Sequence, residues 1–125
     1  MPPIPLVCII DDDESVRESV SDLVQSLGYK TATFASAEEY LQSGHVENSS
    51  CVITDVRMPG MSGVELQAHL RASGHKTPII FITSFPSEDI RTRVLNAGAF
   101  GFFRKPFNDD GLVECLNNAL ARSPC

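Results

Sequence analysis

Three short runs, Leu6–Ile10, 51–54 (or to Asp55) and Ile79–Thr83, carry apolar or β-branched side chains at almost every position and show no polar alternation. A strand with one wet face alternates; a strand without alternation has to be covered on both faces. That feature disfavours an open antiparallel sheet and calls for helices above and below a parallel one.

The stretches between these runs supply the helices. Val16, Val20, Leu23, Val24 and Leu27 recur at helical spacing over about 14–27, with acids in the first turn and Gly28 as a stop. A β-rich segment at 31–34 follows. Ser36-Ala37-Glu38-Glu39 then reads as a capping box that opens a helix to about Ser43. Ser62-Gly63-Val64-Glu65 is a second box, opening a helix to about Ala72. Ser87 caps a helix with Ile90, Val94 and Leu95 on its apolar stripe, ending at Gly98. A fifth strand is read over 99–104, stopped by Pro106, and Asn108 caps a last helix with Leu112, Val113, Leu116 and Leu120 inward. Five strands alternating with five helices over short connections is an α/β pattern with a single parallel sheet. The chain, 1–125, reads as one domain with a core over about 6–121 and a tail or linker start at 122–125.

Parallel strands end on one edge, and here those ends are chemically distinctive. The first runs into Asp11-Asp12-Asp13, the third into Asp55 and the fourth into Thr83-Ser84, while Lys105-Pro106 follows the fifth. Pro59-Gly60, just after Asp55, fits the centre of a type II turn, where Pro presets φ and Gly supplies a positive one. Singly, each residue has a plainer role: Asp at a strand end commonly forms a turn or cap, and acids before a helix complement its dipole. Together they lie on the edge where open α/β sheets bind ligands. Crowded carboxylates repel and raise one another's pKa. A divalent cation relieves that, and hard oxygen donors completed by water suit Mg²⁺ or Mn²⁺. A metal and Lys105 flanking one carboxylate can hold the oxygens of a phosphoryl group, with Asp55 as nucleophile and the Thr83 hydroxyl as a further donor.

Charge and composition exclude other classes. A net charge of −6 argues against a nucleic-acid surface, which is normally basic. The apolar runs are too short to span a bilayer, and no basic segment leads into a long apolar one, so a cytoplasmic location is expected. Cys8 and Cys51 fall inside strands and read as small buried hydrophobes; Cys125 lies on the tail.

These residues match a known pattern. Ile10-Asp11-Asp12, Asp55-Val56-Arg57-Met58-Pro59-Gly60-Met61-Ser62-Gly63, Thr83-Ser84, Gly98-Ala99 and Lys105-Pro106-Phe107 resemble the receiver domains of bacterial two-component response regulators, over about 6–121. Phe34-Ala35-Ser36-Ala37-Glu38-Glu39 and the Asp55 motif are closest in wording to the nitrogen-fixation regulators. The resemblance implies a flavodoxin-like strand order, 2-1-3-4-5. It implies that Asp55 is phosphorylated by a sensor histidine kinase. Asp12 would ligate Mg²⁺ directly and Asp11 would help through water, with Asp55 and the Arg57 backbone carbonyl completing the set. Thr83 and Lys105 would bind phosphoryl oxygens, and the Lys105-Pro106 peptide would be cis. Asp13 falls outside the ligand set. Phe102 stands at the switch aromatic, preceded by Gly101 where the family often carries a polar residue. Arg57 and Phe85 stand at positions that tune acyl-phosphate lifetime.

On this reading phosphorylation changes the surface of helix four, strand five and helix five, which meets an output domain or partner protein, with phosphorylation-dependent homodimerisation as a further implication. The chain is a phosphoacceptor and no enzyme beyond its own phosphorylation and dephosphorylation. Alternatives are the receiver fragment of a longer DNA-binding regulator, or a pseudo-receiver that only binds partners; the latter should lack part of the Asp/Asp/Thr/Lys set. An Asp-dependent phosphatase would want a second Asp at position 57, where Arg57 stands, and an FMN binder would want a hydroxyl-rich loop after strand one, where four acids stand.

Overall fold

The structure, a computed structural model, describes residues 4–121. Its elements alternate along the chain: β1 (Leu6–Ile10), α1 (Glu14–Ser26), β2 (Lys30–Phe34), α2 (Ala37–Gln42), β3 (Cys51–Asp55), α3 (Gly63–Ala72), β4 (Ile79–Thr83), α4 (Glu88–Asn96), β5 (Gly101–Arg104) and α5 (Asp109–Ala121). The five strands form one parallel sheet in the order β2-β1-β3-β4-β5, the flavodoxin-like order. β3 and β4 are buried at every position, which is why their sequences lack alternation.

Each face of the sheet has its own core. On one, Cys8, Ile10, Val52, Ile79 and Phe81 meet Tyr40 of α2, Leu66 and Leu70 of α3 and Val94 of α4. On the other, Val7, Ile9, Ile53, Ile80 and Ile82 meet Val20 and Val24 of α1 and Leu112 and Leu116 of α5. Each large side chain buried this way contributes about 1.5–3 kcal/mol of transfer free energy. The inner strands are thereby clamped from both sides, and their carboxyl ends are fixed relative to one another.

Two strand boundaries and one helix cap depart from the sequence reading. The fifth strand begins at Gly101 rather than Ala99, because the Ala99 amide is used up by α4: it donates to Val94 O at 2.9 Å, beside Gly98 N–H to Leu95 O at 3.1 Å. The second strand gains Lys30, whose N–H donates to Pro5 O. The box at Ser36 closes only halfway. Ser36 accepts the Glu39 N–H, but Glu39 reaches back to the Ala35 N–H at a long 3.5 Å instead of to the cap residue. The Ser62–Glu65 box is complete in both directions. The tail with Cys125 lies outside the described residues.

Candidate functional site

Asp55 closes β3 in register with Ile82 of β4, and is 7% exposed. Ile10 pairs with Thr54, so Asp11, the next residue after β1, arrives at the same level and is fully buried. Thr83 pairs with Arg104, which carries Lys105 to the same edge; the Lys105 N–H donates to Thr83 O at 2.7 Å. Its Nζ lies 2.7 Å from Asp11 Oδ2 and 3.0 Å from Asp55 Oδ2. The Lys105-Pro106 peptide is cis. Asp12 is exposed, and one carboxylate oxygen each from Asp11, Asp12 and Asp55 lie within 4.8 Å of one another.

The remaining oxygens are held by the chain. Asp11 Oδ1 accepts the Asp13 N–H at 2.9 Å, and Asp55 Oδ1 accepts the Arg57 N–H at 3.2 Å. Arg17 Nη1 donates to the Asp11 carbonyl at 2.7 Å. Asp13 is the N-cap of α1, accepting from the Ser15 amide and hydroxyl, which hold its carboxyl below the usual carboxylate range. Gly63 brings α3 close: a Cβ there would collide with the Asp55 carbonyl, and the Gly63 N–H donates to Val56 O at 2.9 Å.

Burial raises the Asp11 carboxyl above its ordinary range, reinforced by the charge of Asp55 and opposed by the hydrogen bonds from Lys105 and the Asp13 amide. Burial alone would lower Lys105, but its hydrogen bonds to Asp11 and Asp55 outweigh it and the net shift is upward. The ammonium therefore stays charged while one of the carboxylates beside it is costly to ionise. Three carboxylates face one ammonium, and the donor set is all hard oxygen. Such a set of hard oxygen donors, gathered at one strand edge, is the chemistry that suits a magnesium-type cation.

The cluster opens into a cavity of about 250 Å³, lined by Asp11, Asp12, Asp13, Asp55, Arg57, Ser84, Phe85 and Lys105. The Arg57 guanidinium stacks on the Phe85 ring 5.6 Å from its centroid, at the rim. Thr83, by contrast, is buried, and its hydroxyl accepts the Phe85 N–H at 3.1 Å; Ser84 takes its place in the lining. Phe102 is half-buried and packs on the core face that carries α2, α3 and α4. The sequence-predicted acids and Lys105 thus converge, while Thr83 and Phe102 lie outside that lining. Sequence reasoning missed Ser84 as a lining residue and Arg17 as a support. The signal for Arg17 was present: a basic residue in the second turn of a helix that begins with acids.

The chain is similar to known proteins over nearly its whole length. A family model described as the response regulator receiver domain matches residues 7–117. The chain is 38% identical over 119 residues to response regulator protein TodT of Pseudomonas putida, covering 95% of this chain and 52% of that protein. It is 37% identical over 117 residues to transcriptional regulatory protein FixJ of Azorhizobium caulinodans, covering 94% and 56%. The chain spans about half the length of the curated relatives it matches. Among solved structures, response regulator StyR superposes with a TM-score of 0.89 at 38% identity, covering 97% of this chain and 61% of that one. FixJ-N superposes at 0.86 with 31% identity, covering 100% and 99%.

Proposed function

The chain belongs to the response regulator receiver family, and on that premise we propose that it accepts a phosphoryl group on Asp55 from the phosphohistidine of a sensor kinase. The observation that carries this reading is Lys105 Nζ bridging Asp11 Oδ2 and Asp55 Oδ2 beside three clustered carboxylates. A carboxylate oxygen of Asp55 attacks phosphorus, the P–N bond to imidazole breaks, and the imidazole leaves. Lys105 already touches the acceptor and is placed to hold a phosphoryl oxygen as charge develops. Asp12, Asp55 and the Arg57 carbonyl would hold Mg²⁺, or Mn²⁺, with Asp11 acting through water. The ion supplies charge neutralisation to the phosphoryl oxygens. The domain is a phosphoacceptor rather than an enzyme acting on a separate substrate.

The readout on this reading is a population shift. Phosphate at Asp55 draws the Thr83 hydroxyl from the Phe85 amide, and Phe102 turns inward. Moving a two-state equilibrium from ~1% to ~99% needs about 5.5 kcal/mol. A new charge-assisted bond from Thr83, at about 1.5–3 kcal/mol, supplies part of it, and Lys105, already bonded to Asp55 at rest, adds only the difference between its bonds in the two states. α4 is suited to move: Val94 is its one buried residue, and Gln67 Nε2 to Val94 O (3.0 Å) and Arg71 Nη2 to Gly98 O (3.4 Å) hold only its carboxyl end. The α4-β5-α5 surface then meets an output domain, a partner protein or a second copy of the chain. FixJ of Azorhizobium caulinodans is a transcriptional regulatory protein, which supports an output in transcription, borne by residues beyond this domain. The acidic charge supports a domain that does not itself touch nucleic acid. Among the described residues no helix is long and apolar enough to cross a membrane.

Acetyl phosphate with and without Mg²⁺, read by intact mass, tests the proposal. One phosphoryl group per chain is expected with metal and almost none without it. A chain that stays unlabelled with metal, or labels equally in chelator, overturns it.

A further inference from the structure

Glu38, in the first turn of α2, takes no part in the phosphoryl chemistry above. Its Oε2 accepts the Met61 N–H at 2.9 Å, across 23 residues of chain. Met61 closes the Met58-Pro59-Gly60-Met61 turn. The amide that would bond back to Met58 within the turn is thus given to another element. Gly60 adopts φ +77, and a Cβ there would lie 2.5 Å from Glu38 Oε2 and 3.3 Å from its carboxyl carbon. Gly60 therefore meets two needs at once, a positive φ and room for the carboxylate.

The loop so held is the one that carries Arg57. Its ends are tied by Val56 N–H to Ile82 O (3.2 Å) and Gly63 N–H to Val56 O (2.9 Å), and Arg57 N–H is on Asp55 Oδ1. Between those ties the bond to Glu38 links the turn to α2. α2 is itself tied down: Ser36 caps it, and Ala37 and Tyr40 on either side of Glu38 and Glu39 are fully buried. A carboxylate bonded to an amide is a charge-assisted pair, and groups that orient metal ligands at one remove tune metal affinity.

We propose that Glu38 is a positioning residue for the carboxylate cluster: it pins the β3–α3 turn at Met61, steadies Arg57, whose N–H donates to Asp55 Oδ1, beside the cluster, and so couples α2 to cation occupancy. The proposal rests on the metal reading above. Coupling is reciprocal, so cation binding must in turn tighten the Glu38–Met61 bond. It gives the site a second line of communication, through α2, on the far side of α3 from α4.

The test is Mg²⁺ titration by calorimetry, together with hydrogen exchange of the Met61 amide, on the wild type and three variants. Glu38→Ala removes the acceptor. Glu38→Gln keeps an acceptor oxygen without the charge. Glu39→Ala removes the same charge from the same turn without touching the loop. Glu38→Ala is expected to weaken Mg²⁺ binding by about three- to tenfold, somewhat less than direct outer partners give because Glu38 is exposed. The Met61 amide should gain protection on adding Mg²⁺ in the wild type and in Glu38→Gln, and none in Glu38→Ala. Glu39→Ala should match the wild type in both measurements. Wild-type binding with an unchanged Glu38→Ala overturns the positioning role alone, as does equal weakening by Glu39→Ala. A wild type that binds no Mg²⁺ overturns the metal reading and this proposal with it.

Discussion

Lys105 is the residue that keeps the resting site from flying apart. It neutralises a fully buried Asp11 and touches Asp55 at once. Lys105→Ala should keep the fold, lose about 1–3 kcal/mol of stability for its charged hydrogen bonds, and recover part of that with Mg²⁺. In that variant phosphorylation should no longer change the Phe102 ring signals in NMR; a ring response equal to the wild type's would remove Lys105 from the switch. At this scale the acids and Lys105 were legible in the sequence, because a parallel sheet leaves no choice about where strand ends lie. Thr83 was legible as a position but not as a contact. Its hydroxyl is captured by the Phe85 amide two residues on, a local competition that no spacing rule reports.

At the scale of elements, caps and strands were readable where one signal dominated and misread where two competed. The Ser62 box closed as written; the Ser36 box half-closed. The start of β5 shifted because the end of α4 took the Ala99 amide. Gly101 shows what sequence could flag but not explain. A Cβ there would stand 2.6 Å from Cys115 Sγ and 3.2 Å from the Phe103 ring, so the glycine lets α5 lie close on β5. Gly101→Ala should cost about 1–3 kcal/mol by overpacking. Cys115→Ala in the same chain should return part of that, giving a non-additive double-mutant cycle in urea unfolding. Strict additivity would mean that the two side chains do not share this space.

For the whole molecule, stability should carry an alkaline signature from the face opposite α1 and α5. Tyr40 is fully buried and its hydroxyl bonds Ser49 at 2.7 Å, while Ser49 donates to His45 O. Burial pushes the Tyr40 hydroxyl up to about 12 from its ordinary value near 10. The folded state thus keeps a proton that the unfolded chain releases. This contribution is complete below about pH 10 and is lost as pH rises toward 12, by up to about 1.4 kcal/mol per unit. Urea midpoints from pH 9 to 11 should fall less steeply in Tyr40→Phe than in the wild type; parallel curves would contradict the assignment. The layered sheet was legible from three unalternating strands, since only cover on both faces suits them. Such burial of single polar groups was not, because it depends on how α2 and the loop after it settle.

The central claim is that Asp55 receives the phosphoryl group. Borohydride reduction of the acetyl-phosphate-treated protein, followed by peptide sequencing in a mass spectrometer, tests it at the atom concerned, since an aspartyl phosphate is reduced to homoserine. Homoserine should appear at position 55 alone, only when Mg²⁺ was present, and nowhere in Asp55→Asn. Homoserine at Asp11, Asp12 or Asp13 instead, or undiminished labelling of Asp55→Asn, would contradict it.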